Sequence, residues 1–497
     1  MDEVALNAPT ITTFVIYLLA MLGIGVLAYR ATSNLSDYVL GGRSLGPGVG
    51  ALSAGASDMS GWLLLGLPGA IYASGMNQIW IAIGLTIGAY LNWQFVAKRL
   101  RIYTEVASDS ITVPDYLENR FADKSKVLRV ISAAVILLFF AFYTSSGLVA
   151  GAKLFEASFG LSYTTSLWVG GLVIISYTFL GGFLAVSWTD FVQGILMFIA
   201  LIIVPMIGIN LFGSGIGGLE GWGDAVRTVG EIDPSFNDVM NGMTTFGIIS
   251  LMAWGLGYFG QPHIIVRFMA LRSADDVPKA RLIGIAWMVF ALFGAIFTGY
   301  IGFAHFADNP LPDGEKVFIA LATTLANPWV AGALLAAILS AIMSTIDSQL
   351  LVSSSALAED VYKPFIRPQA SQNELVWVGR GAVVGIALIA LLIAGDPDSR
   401  VLGLVSYAWG GFGAAFGPVI ILSLFWRGMT RNGALAGIVI GALTVVVWKQ
   451  LSGGMFDMYE ILPGFIFCAI AIVVVSKMGQ PPQSVTEEFD KAAKQWA

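Results

Sequence analysis

Apolar runs of roughly twenty residues, the length that one helix needs to cross the hydrocarbon layer of a bilayer, recur along this chain with only short polar stretches between them. Of its 497 residues, 57% are hydrophobic and 12% charged, roughly half the charged share of an ordinary soluble domain. A water-soluble fold has no interior large enough to hide so much apolar chain, so the bilayer is the solvent. The runs predict thirteen spans, at 11–29, 48–72, 78–97, 129–157, 163–180, 190–212, 243–266, 282–305, 328–356, 377–395, 401–425, 433–451 and 460–477. The first ten residues, MDEVALNAPT, are acidic and carry no basic leader or small-residue cleavage site, so the first run is expected to be a retained span. A single cysteine, Cys468, excludes an intramolecular disulfide, and His263 and His305 are too far apart for a local metal motif. A net charge of −6 without a long basic run points away from nucleic acid.

Charge sidedness orients the spans. Only Lys153, Arg227, Lys316, Arg400 and Lys449 of the 26 basic residues fall on one face, and basic loops stay in the cytoplasm. The N-terminus is therefore expected outside and the C-terminus inside. The outer loops at 218–240 and 306–316 are acidic, which either concentrates cations near an entrance or simply keeps those loops soluble.

Two spans carry sequence that a straight lipid-facing helix would not use. Residues 50–70, GALSAGASDMSGWLLLGLPGA, set five glycines around Ser53, Ser57, Asp58 and Ser60, and 255–263, GLGYFGQPH, interrupts an apolar run with three glycines and Pro262. Broken helices at membrane depth are tolerated where they line a cavity or are buried in protein, whereas glycines alone also serve close packing. The two breaks start five spans apart and so head two consecutive five-helix units. That placement is the pattern of an inverted-repeat transporter, with substrate and ion held at the discontinuous helices.

Ionisable groups inside spans are costly and therefore informative. Asp58 lies beside the first break, Asp347 within the ninth span, and Asp190 at the start of the sixth, where a first-turn carboxylate and an ion-pathway group are both open readings. In the ninth span Ala341, Ser344 and Thr345 share one helix face. The two hydroxyls and the Ala341 carbonyl, with carbonyls freed near Ala56 and Met59, make a five-oxygen cage between helices. The alternative is that each hydroxyl bonds its own helix.

GGRSLGPGVGALSAGASDMSGWLLLGLPGA in the second span, WGLGYFGQPHIIVRFMA in the seventh, MSTIDSQLLVSSS in the ninth and RVLGLVSYAWGGFGAAFGPV at 400–419 closely resemble the proline-carrying branch of the sodium:solute symporter family, over residues 12 to 478. The resemblance implies an all-α polytopic membrane protein of about thirteen transmembrane helices, in two inverted five-helix, LeuT-like repeats with one helix before and two after. The chain then divides into 1–47 (periplasmic end, first helix and cytoplasmic loop), 48–212 (first repeat), 213–242 (periplasmic loop), 243–425 (second repeat), 426–477 (last two helices) and 478–497 (cytoplasmic tail). The resemblance further implies sodium-coupled uptake of L-proline across the bacterial inner membrane by alternating access, with the sodium ion as coupling ion and no organic cofactor.

By the same likeness, Ala56, Met59, Ala341, Ser344 and Thr345 hold sodium. Asp58, Ser60 and Gly61, with Ser57, match positions used for coupled substrate binding; Tyr143, Trp254, Tyr258 and Pro262 match those lining the proline pocket; Arg43 and Asp190 match charged positions near the inner ion pathway. Proline's carboxylate suits the amide-rich start of a half-helix near Ser60 and Gly61, and its ring suits an aromatic wall. Asp347 either supports a second cation or bonds a neighbouring helix. The rival functions are symport of another small organic solute, a membrane sensor, for which the tail is too short, and an intramembrane enzyme, for which no nucleophile, base or metal cluster is evident.

Overall fold

The computed structural model describes residues 8–29, 35–180, 182–209 and 221–496. The acidic start at 1–7, the inner loop at 30–34 and the first part of the outer loop at 210–220 lie outside the described residues. Among the described residues, nine helices are long and apolar enough to cross a membrane by length and composition, and four shorter apolar helices accompany them. In chain order the spans are α1 (Ala8–Tyr29), α2 (Pro47–Asp58 and Trp62–Ser74), α3 (Met76–Val106), α4 (Val127–Phe159), α5 (Tyr163–Leu180), α6 (Phe183–Gly208), α7 (Thr245–Phe259 and Pro262–Ala270), α8 (Val277–His305), α9 (Pro328–Ile366), α10 (Gln372–Ile393), α11 (Val401–Phe425), α12 (Arg431–Trp448) and α13 (Ile461–Lys477). A surface helix, α14 (Gln483–Ala493), follows.

The packing repeats itself. Within each five-helix unit the fifth helix lies on the first, α6 on α2 and α11 on α7. Between units, α3 packs on α7 as α8 packs on α2, the third helices α4 and α9 lie on each other, and α6 meets α9 as α11 meets α4. An odd number of crossings per unit makes the second run opposite to the first, so the fold is an inverted repeat. α1 packs against α6 and α9, and α12 and α13 cover α11.

Both first helices are interrupted. The N-terminal half of α2 stops at Asp58, Met59 leaves the helical region (φ −80°, ψ 67°), and the chain resumes at Trp62. In α7 the regular helix gives way at Ala253 to a tighter wind through Phe259, and Pro262 starts the second half. The loose carbonyls find side-chain donors on neighbouring helices: Asn92 Nδ2 donates to Tyr258 O at 2.9 Å and Trp409 Nε1 to Trp254 O at 2.7 Å. Glycine permits this approach, since a Cβ at Gly257 would lie 1.8 Å from the Trp409 Nε1.

Some boundaries differ from the sequence reading. α6 begins at Phe183, not near 190, because Ser187, Thr189 and Asp190 are buried against protein and a hydropathy window discounts them. Asp190 therefore sits about two turns inside the helix, which removes the first-turn reading. α3 continues to Val106 through a basic stretch, and α9 runs on to Ile366. Two of the basic residues sorted by face are interior: Arg267 and Lys153 are 0% and 5% exposed.

α14 buries Val485, Phe489 and Ala492. Asp490 accepts two bonds from Arg427 at 2.8 Å, and the Phe489 ring lies 6.2 Å from that of Tyr103. Burial pushes the Glu488 carboxyl up to about 7, against the opposing pull of Arg120 and Lys491. Because the docked pKa is raised, the protonated form docks better; this contribution is complete below the ordinary carboxylate range and is lost as pH rises through about 7. Amide exchange across 483–493, corrected for intrinsic rates, should accelerate between pH 6 and pH 8 in the native protein and flatten in Glu488→Gln. An identical pH dependence in both proteins would assign the effect to another group.

Candidate functional site

At the end of the first α2 half-helix the Ala56 carbonyl points across to α9, where Ser344 Oγ donates to it at 2.8 Å and Thr345 Oγ1 at 3.3 Å. Ser344 also lies 3.1 Å from the Ala341 carbonyl, so these oxygens from two helices converge. Met59 caps the half-helix, giving its amide to Gly55 O at 2.8 Å. All five residues are buried, Thr345 being the most exposed at 2%.

Asp58 heads a second set of contacts. Its carbonyl accepts from Tyr143 OH and from Trp62 Nε1, both at 3.2 Å, and from the Ser60 amide at 2.9 Å. Its carboxylate accepts a short bond from Tyr258 OH at Oδ2, while Oδ1 is buried without a partner. Ser60 Oγ accepts from the Trp62 amide at 3.3 Å. Gly61 is pressed between α4 and α9, where a Cβ would lie 2.7 Å from Ala150. Trp254 faces the Trp62 ring at 6.2 Å and Tyr459 at 5.3 Å. Tyr143, Tyr258 and Trp254 thus gather at the α2 break with α4 and α7 as their supports.

Other predicted residues stand apart. Ser57 bonds back to Ser53 O at 2.5 Å within its own helix. Pro262 lines a separate cavity with Ile111, Ile136 and Asp360. Arg43 donates to Met269 O at 2.7 Å and Ser110 O at 2.9 Å and pairs with Asp109, bracing the end of α7. Asp190 Oδ2 accepts from Ser53 Oγ at 2.7 Å and pairs with Arg267 Nη2 at 3.2 Å, both side chains being fully buried. Arg267 is further held by the His263 carbonyl and by Ser348 Oγ on α9. Asp347 bonds a neighbouring helix, accepting a short bond from Thr178 of α5 at Oδ1, with Oδ2 unpartnered.

Sequence reasoning missed Trp62, Trp409 and Arg267. The tryptophans read as ordinary apolar residues, and Arg267 falls just past the seventh span, which the hydropathy ends at 266. A signal existed for Arg267: it lies on a nine-residue run, PHIIVRFMA, that is buried on every side.

Paired breaks within inverted repeats, with oxygens and carboxylates gathered at them, define a secondary transporter. Residues 38–441 match the model described as "Sodium:solute symporter family". The "Sodium/proline symporter" of Salmonella typhimurium is 56% identical over 98% of this chain and 97% of its own, and the "High-affinity proline transporter PutP" of Bacillus subtilis is 53% identical over 95% and 98%. The chain belongs to the sodium:solute symporter family. Its fold is shared with a Na+-coupled sialic acid symporter solved in a substrate-bound outward-open state, with TM-score 0.79 and 19% identity over 96% of this chain and 99% of that one. The nucleobase-cation-symport transporter Mhp1 follows at TM-score 0.55 and 15% identity, over 93% and 99%.

Removing one partner of a buried ion pair strands the other, at a cost of about 3–5 kcal/mol. Arg267→Met should therefore destabilise the protein by about that amount in detergent unfolding, and adding Asp190→Asn should recover most of it. A single variant as stable as the parent would mean that Arg267 does not compensate the carboxylate.

Proposed function

We propose that this chain carries L-proline into a bacterial cell together with sodium ions, by alternating access across the inner membrane, with its N-terminus periplasmic and its C-terminus cytoplasmic. The observation that carries the reading is the meeting of the Ser344 and Thr345 hydroxyls with the Ala56 carbonyl at the α2 break. A sodium ion seated among these oxygens, with the carbonyls of Met59 and Ala341 as further ligands, replaces hydroxyl-to-carbonyl bonds by ion-to-oxygen contacts and pins α2 against α9. Among the described residues no basic side chain pairs with Asp58 or Asp347, and each keeps one carboxylate oxygen without a partner, so both are available to a cation entering this region. Relatives at 53–56% identity named for proline transport support the solute.

Proline fits the neighbouring set. Its carboxylate meets the amides that open the second half of α2 beyond Ser60 and Gly61, and its ring meets Tyr143, Trp254 and Tyr258. Asp58 joins the two sites, since its carbonyl is held by Tyr143 and its carboxylate by Tyr258, next in sequence to the Met59 ligand. Ion binding that fixes the α2 break thereby orders the solute pocket. Arg43 and the Asp190–Arg267 pair lie toward the inner end of this route, and Asp347 supplies negative charge beside the ion ligands.

Uptake into membrane vesicles tests the assignment. Thr345→Ala should raise half-saturating sodium about tenfold, the equivalent of ~1.4 kcal/mol, and an unshifted curve would remove the site. Asp58→Asn should nearly abolish coupled uptake; transport at the parent rate would mean that its charge is not needed. Competition of labelled proline by a panel of amino acids fixes the solute, and stronger competition by another compound would replace proline.

A further inference from the structure

The cavity beyond Pro262 carries chemistry that the sodium and proline sites do not use. It is small, about 20 Å³, and lies between the second half of α7 (Pro262, Val266), α4 (Ile136), the residues ahead of the short helix Val113–Arg120 (Ile111, Thr112) and the continuation of α9 (Ser355, Asp360). Its lining is apolar except for Thr112, Ser355 and Asp360. Asp360 is fully buried: its Oδ1 accepts from Thr112 Oγ1 at 3.0 Å, and its Oδ2 has no partner.

Nearby charge offsets this carboxylate only in part, through an ion pair with Arg129. Arg129 spends its close contacts on Asp115 and Glu118 and reaches Asp360 only at 3.7 Å, beyond hydrogen-bond length. Glu359 is matched by Lys363 at 2.8 Å, so that pair adds nothing. One arginine thus faces three carboxylates, and the unpartnered oxygen belongs to the residue on the cavity wall. Burying a carboxylate that shares its one cation with two others is expensive, and its unpartnered oxygen with two hydroxyls on an otherwise apolar wall is suited to a small hard cation. Pro262 is four residues past Tyr258, so the cavity adjoins the α7 break on the side of the Arg129 and Arg43 clusters, which charge sidedness assigns to the cytoplasm.

We propose that the Asp360 cavity is a second, transient cation site on the inner exit route, where a sodium ion released from the α2–α9 contact is held by Asp360 with the Thr112 and Ser355 hydroxyls before it reaches the cytoplasm. This rests on the sodium-coupled reading above. The site belongs to the inner half of the cycle, so its loss is felt by sodium arriving from the cytoplasm and not by sodium arriving from outside.

Right-side-out and inverted vesicles separate the two faces. Asp360→Asn should raise half-saturating sodium about tenfold in inverted vesicles, as for one lost charged ligand, and change it less than about twofold in right-side-out vesicles. Thr112→Val, which keeps the side-chain shape, should shift the inverted value in the same direction by a smaller factor, and it carries the test if the Asp360 variant does not fold. Equal shifts at both faces, or none at either, would overturn the site. So would a shift in half-saturating proline at the cytoplasmic face with sodium unchanged, which would assign the cavity to the solute's ammonium. Parent vesicles without sodium-dependent proline uptake would remove the coupled reading itself, whereas parent transport with unshifted variants removes the cavity alone.

Discussion

A backbone that stops being helical inside a membrane must find new partners for the groups it frees, because no water is there to take them. In this protein that requirement organises everything around α2 and α7. The Ala56 and Asp58 carbonyls are met by hydroxyls and an indole from α9, α4 and α2 itself. Those of Trp254 and Tyr258 are met by Trp409 and Asn92 from α11 and α3. Each donor sits on a helix of the other five-helix unit or of its own bundle wall, so the breaks are also what tie the repeats together. An ion that competes for the same carbonyls acts on the joints of the fold.

Charge follows the same logic. Asp58, Asp190 and Asp347 lie fully or almost fully buried at membrane depth, and they are treated differently. Asp190 is neutralised by Arg267 and bonded by Ser53, a contact that locks α6, α7 and α2 together. Asp58 and Asp347 receive only hydroxyl donors, from Tyr258 and Thr178. Asp190 thus has its cation built into the fold, whereas in the proposed reading Asp58 and Asp347 meet theirs in the transported ion.

Much of this was legible in the sequence where local composition carries the physics. Glycine, serine and aspartate together at 50–70 have no use in a straight lipid-facing helix, so the α2 break was readable, as was the α7 break at GLGYFGQP. The hydroxyl face of α9 followed from helix spacing alone. What composition does not carry is who sits opposite whom. Arg267 and Asp190 are 77 residues apart, and nothing in either neighbourhood announces the other. Asp190 looked like a helix-start residue because hydropathy undervalues a polar face buried against protein, and nothing in the sequence around Pro262 announces the Asp360 cavity that it lines. Partnered polar groups in a membrane interior are invisible to any window that treats the lipid as the sole neighbour.

At the α2 break the proposed ion and solute sites meet at Asp58 and Met59, and coupling between two such sites is reciprocal. Equilibrium binding of labelled proline to the purified protein, titrated over sodium concentration and set beside sodium binding titrated over proline, tests it most directly. The prediction is that sodium tightens proline and that proline tightens sodium by the same factor. Proline affinity that is equal in sodium and in choline would contradict the coupling on which the reading rests.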